Sequence, residues 1–491
     1  MNQARMPLVE ALEKFTREEP AYFRIPGHRF LRGIDPSLQN ASLAAFDLSE
    51  AEGLDDLHNP CGVIAKAQEL AADLYGAKKA YFLVNGTTCG NEAMVLSAAR
   101  EGEQVILPRN AHKSVLMGLI MSGAVPVYVQ PEYFGEWQIW GGITPGKIKE
   151  AFERAPGAKA ALVVSPTYYG IGSDLEAIAG ICHENQALLL VDEAHGSHLY
   201  FSDQLQNGAI RCGADVSALS MHKTAGSFTQ SSLLLVGSGR INPGLLEENL
   251  QMVQSTSPSY LLMASLDAAR KGMALEGKER MQRALELSEM ARDAFGKIPG
   301  VRVLDEKAEG RSGIYRIDLT RLVFSMKELG IGGYRLQELL YERFGVSTEL
   351  SDEENVVAVI TWANEEKDIQ RLIHGVETLA KEADVKNECS VSRFEGAVPE
   401  KEWVQIPREI PSMCLTPREA YFADKRTVSF WNAKGCIAGE MIVPYPPGIP
   451  IVCPGERITD EILELIFKNK KNGCAFHGPA DASLETIRVI R

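Results

Sequence analysis

Short apolar runs punctuate the chain between residues 80 and 236. They fall at 80–84, 104–107, 125–129, 161–165, 188–191, 216–219 and 233–236, with stretches of helical spacing between them. Runs that are apolar on both faces and alternate with helices predict a mostly parallel sheet covered on both sides, an α/β architecture. From 264 to 295 the chain is rich in Ala, Leu, Glu, Arg and Met, which predicts one long helix with Gly272 and Gly277 as its interruptions. A short helix is predicted over 9–17, followed by loops rich in Gly, Pro and His. The span 386–402 is polar and turn-prone and reads as a linker. At 491 residues the chain is too long for one core. It divides into an arm (1–60), a large domain (61–267), a small α+β domain (268–385), and a linker with a C-terminal α+β domain (386–491).

The ends of the apolar runs carry the chemistry. Asp192-Glu193-Ala194-His195 closes the run at 188–191, and Ser220-Met221-His222-Lys223 follows 216–219. Ligands of open parallel sheets sit off the carboxyl ends of the strands. A carboxylate at one strand end and a lysine at the next suit pyridoxal 5′-phosphate. The lysine amine binds its aldehyde, and the carboxylate pairs with the protonated ring nitrogen so that the ring accepts an electron pair. Upstream, Gly86-Thr87-Thr88-Cys89 opens a helix-like stretch and offers backbone N–H groups, hydroxyls and a positive dipole end to a phosphate. An ordinary helix cap is the competing reading of that loop taken alone. His112, after the run at 104–107, is by itself a loop or cap residue; beside a planar cofactor it becomes a candidate to stack on the ring. His195 and His198 have a His-x-x-His look but no carboxylate at metalloprotease spacing, so no metal is expected.

In this order the motifs resemble the Orn/Lys/Arg decarboxylase family, pyridoxal-phosphate enzymes with the aspartate-aminotransferase (fold type I) fold. Further blocks carry the same resemblance: Ile25-Pro26-Gly27-His28, Leu54-Asp55-Asp56-Leu57-His58-Asn59-Pro60, the stretch from Ser255 to Asp267, Pro444-Tyr445-Pro446-Pro447-Gly448-Ile449-Pro450, and Cys453-Pro454-Gly455-Glu456. It covers essentially the whole chain.

The resemblance implies that Lys223 binds the cofactor, Asp192 meets the ring nitrogen and His112 covers the ring face. It also implies phosphate contacts from Gly86, Thr87, Thr88, Cys89 and Ser220, and further cofactor contacts from Ala194, His195 and His222. Cys89 stands where the family usually has Ser or Thr, and a thiol is a weaker donor, so its backbone is the expected contact. Thr256 and Ser257 are expected to reach the cofactor phosphate of the neighbouring subunit in a homodimer, with the arm wrapped around that partner. Lys223 or His222 would return the proton to Cα. The chain starts close to Pro26-Gly27-His28, without the response-regulator-like domain of larger members. That resembles the short, Gram-positive-type branch linked to agmatine production for polyamine synthesis.

The implied reaction is decarboxylation of a dibasic amino acid, L-arginine first, with lysine and ornithine as alternatives. Asp55, Asp56 and Glu440 are carboxylates for the distal cation, Asp56 and Glu440 foremost, with solvated or capping roles as the alternative. Trp137 and Trp140 rim a pocket or simply pack. Transamination is the competing chemistry, for which Arg311 and Arg316 are candidate carboxylate partners, neither in an aminotransferase motif. A catalytically silent binding homologue is a third reading, opposed by the presence of Lys223, Asp192 and the phosphate loop.

Composition narrows the partners. Hydrophobic residues make up 45% and charged residues 24%, as in ordinary globular proteins. A net charge of −14 argues against nucleic acid. Nine cysteines without a Cys-x-x-Cys pair read as reduced thiols. No apolar run approaches the ~18 residues of a membrane span, and no signal-like core follows the start. A cytoplasmic enzyme with no membrane partner is expected.

Overall fold

The computed structural model describes residues 12, 14–30, 32–39, 43–389, 407, 409–445, 448–471 and 474–491. Residues 9–11 and 13 of the expected first helix, most of the expected linker, and Pro446 and Pro447 lie outside this set, while 12 and 14–17 are helical.

All seven apolar runs form strands of one sheet. In chain order these are β1 (Lys79–Leu83), β2 (Gln104–Pro108), β3 (Val125–Val129), β4 (Ala160–Val164), β5 (Leu188–Asp192), β6 (Val216–Leu219) and β7 (Ser232–Val236). The sheet order is β1-β7-β6-β5-β4-β2-β3. Neighbours from β6 through β3 pair in parallel, and β7 runs antiparallel to both β6 and β1.

Alternate residues feed two cores. Val105 and Leu107 pack with Met94, Val115 and Leu119, whereas Ile106 packs with Ile148 and Phe152 on the other face. Both faces are covered, which is why the runs are continuously apolar rather than alternating.

Two helices follow directly from strand ends, α1 (Gly86–Ala98) after β1 and α2 (Lys113–Ser122) after β2. One turn, α3 (Met221–Thr224), follows β6. The long helix α4 spans Tyr260–Phe295 without a break. Gly272 and Gly277 do not interrupt it; they let neighbours close in. A Cβ at Gly272 would lie 2.5 Å from the Arg280 guanidinium, and one at Gly277 would lie 2.6 Å from the Phe201 ring.

The distal half of α4 and helix α5 (Glu366–Cys389) pack on a second, antiparallel sheet. Its strands are β8 (Arg302–Val303), β9 (Arg321–Ser325), β10 (Leu350–Ser351) and β11 (Asn355–Val359), in the order β8-β9-β11-β10. Helix α5 runs past the expected domain edge at 385 into the span read as linker. Among the described residues no helix is long and apolar enough to cross a membrane.

The C-terminal unit has its own core around Ile442, Ile462, Ile466 and Val489. It is tied back to the loop after β2 by Arg109. That guanidinium donates to the carbonyls of Pro450 and Ile451, each at 3.0 Å, and to Glu456 at 2.9 Å. Both charged side chains are 1% exposed. Glu456→Ala would leave a buried cation unpaired, which costs about 3–5 kcal/mol. We expect calorimetry to show unfolding at clearly lower temperature; an unchanged transition would mean the C-terminal unit does not depend on this pair.

Candidate functional site

The carboxyl ends of β1, β2, β4, β5 and β6 surround a cavity of about 310 Å³. Period-two alternation at the end of β5 aims Asp192 and Glu193 to opposite sides. Asp192 lines the cavity and is 3% exposed. Its Oδ2 accepts from Asn91 Nδ2 at 2.8 Å, and its Oδ1 from the Ala194 N–H at 3.2 Å. Glu193 turns inward and accepts from Tyr200, Ser217 and the Ala209 N–H. Burial pushes its carboxyl up to about 7.

The strand β6 delivers Ser220, His222 and Lys223 to the same cavity. Lys223 Nζ stands 2.9 Å from His195 Nε2. Burial lowers the amine to about 8, against the opposing pull of Asp192 and Glu349. His222 Nδ1 stands 2.9 Å from the Ser231 carbonyl, an acceptor only, so the ring's proton sits on Nδ1. Burial lowers His222 to about 4, so the ring is neutral near pH 7. The one proton of the neutral ring is thus donated to the backbone carbonyl.

At the start of α1, Gly86 takes a left-handed φ of 72° and the N-cap residue Asn85 makes no side-chain capping bond. The first N–H groups of the helix are therefore left to a ligand or water, the condition for a phosphate site. Gly86, Thr87 and Thr88 line the cavity, and the Thr87 and Ser220 hydroxyls are hydrogen-bonded to each other. Cys89 does not line it. Its side chain is 0% exposed in the core beneath α1 and donates to the Gly86 carbonyl at 3.1 Å. Burial raises the thiol to about 12, so only its backbone remains for an anion.

His112 is both a cap and a cavity residue. Its Nδ1 accepts from the Ser114 N–H at 3.2 Å and lies 2.9 Å from the Ser114 hydroxyl. Burial lowers the ring to about 4, helped by Lys223 and opposed by Asp192. The Ser114 hydroxyl also accepts from Asn91 Nδ2 at 3.0 Å. Asp192, Asn91, Ser114 and His112 thus form one hydrogen-bonded chain beneath the cavity.

Several participants carry no signal in the motif reading. Asn91 betrays itself only as a polar residue on the buried face of α1. Tyr168 and Thr167 follow β4, so the strand-end rule that found Asp192 reaches them too. The Tyr168 ring lies 4.4 Å from the His195 ring, and its hydroxyl donates to Glu349 at 2.9 Å. Ile449 arrives from the Pro-rich C-terminal block. Arg321, at the start of β9, is 0% exposed and donates to His195. The earlier candidates Arg311 and Arg316 are exposed and pair instead with Glu136 and Glu309.

Other expected residues are not brought to the cavity. Thr256 and Ser257 are exposed between a helix at Pro243–Val253 and α4. Asp56 accepts from the His58 N–H at 2.8 Å in a local turn. Asp55 accepts from the N–H groups of Cys61, Gly62, Ile64 and Ala65 and so holds a helix start. Glu440 takes a capping role in this subunit: its two oxygens accept from the Arg488 and Ala480 N–H groups, each at 2.8 Å, inside the C-terminal unit. Trp137 and Trp140 are buried by packing. Both nitrogens of His195 face Lys223 and Arg321, and those of His198 face Thr224, Thr320 and Asp318.

Comparison with known proteins agrees along the length of the chain. Residues 6–310 match the Orn/Lys/Arg decarboxylase major domain, and 401–473 match the C-terminal domain of the same family. The chain is 39% identical to an arginine decarboxylase of Bacillus subtilis, over 100% of this chain and 99% of that protein. It is 38% identical to one of Bacillus anthracis, over 100% and 98%. The crystal structure of a Francisella novicida lysine decarboxylase superposes with a TM-score of 0.77 at 18% identity, covering 99% of this chain and 83% of that one. The chain therefore belongs to the Orn/Lys/Arg decarboxylase family, whose members are pyridoxal-phosphate-dependent amino-acid decarboxylases of the aspartate-aminotransferase fold.

Proposed function

We propose that this protein binds pyridoxal 5′-phosphate and decarboxylates L-arginine to agmatine and CO₂ as a cytoplasmic homodimer, the chemistry that feeds polyamine synthesis. The reading is carried by the single cavity that joins Lys223, Asp192, His112 and the uncapped start of α1, in a chain whose full-length relatives bear the name arginine decarboxylase.

The residues present fit the cofactor. When bound, it supplies an electron sink for the pair left behind as the α-carboxyl group leaves as CO₂. The start of α1, with the Thr87, Thr88 and Ser220 hydroxyls, would hold its phosphate. Asp192, fixed by Asn91 and Ala194, offers a carboxylate to a protonated ring nitrogen. His112, fixed by Ser114, presents a neutral flat ring to the cavity that would orient a planar cofactor. Lys223 offers a primary amine whose depressed proton affinity leaves an appreciable free fraction near neutral pH. With His222 already committed to the backbone, Lys223 is the group that returns a proton to Cα. Ile25 and Ile449 contribute apolar walls.

Asp192→Asn keeps the shape and removes the charge. We expect it to retain the cofactor but lose more than ~10³-fold in kcat, the scale of removing a preorganised charge; near-normal turnover would place the electron sink elsewhere.

The exposed Thr256–Ser257 loop supports a shared site, because it packs beside His58, whose ring lies 2.8 Å from the Ser255 carbonyl, away from this subunit's own cavity. Mixing inactive Lys223→Ala chains with inactive Thr256→Ala/Ser257→Ala chains is expected to restore part of the activity by forming one intact site per hybrid dimer. Full activity in a stable monomer would end this reading.

The substrate assignment is tested by CO₂ release from a panel of amino acids. We expect arginine to exceed lysine and ornithine in kcat/KM. A win for lysine or ornithine would overturn the substrate and spare the mechanism. Consumption of 2-oxoglutarate with no CO₂ release would overturn the decarboxylase reading.

A further inference from the structure

At the cavity wall, His195 and Lys223 stand in a row with Arg321, which lies behind them. Arg321 Nη2 lies 3.2 Å from His195 Nδ1, and His195 Nε2 lies 2.9 Å from Lys223 Nζ. Arg321 and His195 are buried, at 0% and 6% exposure. Among the described residues, Arg321 Nε and Nη1 have no hydrogen-bond partner, so the bonds this guanidinium makes go to His195, at the ring and at its carbonyl.

Proton bookkeeping along the row has one solution. A guanidinium donates and never accepts, so the nitrogen facing it, Nδ1, carries no proton. Burial, with Lys223, Arg321, His222 and His112 around it, holds the imidazole well below its ordinary pKa, so the ring is neutral and its one proton is on Nε2. An Nε2–H facing Nζ at hydrogen-bond distance requires a lone pair on Nζ. This pairing forms with the free-amine form of Lys223, which a proton affinity lowered to about 8 makes an appreciable fraction near neutral pH.

We propose that Arg321 is a positioning residue that fixes the tautomer of His195, so that Nε2–H donates to Lys223 and holds it as the neutral nucleophile that cofactor capture requires. Without Arg321 the ring is free to carry its proton on Nδ1 and to turn a bare Nε2 toward an ammonium, which stabilises the charged lysine. The charges of Asp192 and Glu349 favour the ammonium, and Arg321 opposes them as a charge as well as through the ring. The two contributions are separable. Charge acts whether or not the imidazole is there; the tautomer effect needs it.

The inference rests on Lys223 as the cofactor lysine, and its test keeps the two claims apart. In the full-length protein freed of pyridoxal phosphate, trace acetylation by acetic anhydride across pH, with peptide mapping, reports the free-amine fraction of Lys223. We expect Arg321→Met to slow labelling of Lys223 about tenfold at pH 7, where free amine falls in proportion to rising proton affinity. In a His195→Phe background the same substitution should slow labelling clearly less, because only the charge contribution remains. Equal slowing in both backgrounds, or none in either, overturns the proposal. If Arg321→Met does not fold, Arg321→Lys serves the same comparison, since it keeps the buried charge but ends short of Nδ1. A separate borohydride reduction of the wild-type protein with its cofactor locates the pyridoxyl label. A label elsewhere than Lys223 overturns the site assignment itself.

Discussion

An ammonium drawn out of bulk water costs several kcal/mol unless a carboxylate meets it. The architecture around Lys223 follows from that constraint. Its hydrogen-bond partner is an imidazole rather than a carboxylate, and the nearby anions, Asp192 and Glu349, are engaged with Asn91, Ala194, Tyr168 and the Ile25 N–H. The amine is left reactive because each competing charge has other work. The parallel sheet makes this possible: five strands end at one edge, and each contributes one part of the arrangement.

A second layer keeps those parts in register. Asn91 joins the carboxylate on β5 to the serine that fixes His112 on α2. Arg109 does the equivalent work at larger scale. It precedes His112 by three residues and grips the C-terminal segment that brings Ile449 to the cavity wall. A buried ion pair is weak evidence for stability as such. Here its geometry gives it a different meaning, because it fixes where a distant apolar side chain stands relative to the ring-covering histidine.

The strands and the groups at their ends were legible in the sequence because both signals are local. Apolar runs of four or five residues mark a sheet buried on two faces, and Asp192, His112, Lys223 and Thr87 follow those runs directly. The second layer was not legible, since its members meet only in three dimensions. Arg321 and His195 are separated by 126 positions, and no pattern in β9 announces the meeting. Local reasoning also misjudged residues whose role depends on a neighbour. Gly272 and Gly277 read as helix interruptions but serve close packing. Of the two readings open for Glu440, a partner for a distal cation or a capping carboxylate, its two backbone hydrogen bonds match the second. His222 keeps its place in the cavity, with its Nδ1 on the Ser231 carbonyl.

The open start of α1 ties the lifetime of the folded chain to supply. A helix whose first N–H groups wait for an anion is less stable alone than one capped by its own side chain, by about 1 kcal/mol. Any dianion that binds there only in the folded state adds stability that grows with the logarithm of its concentration, about 2.7 kcal/mol at a hundredfold excess over Kd. Between starvation for that anion and plenty, the same polypeptide would have different half-lives against proteolysis.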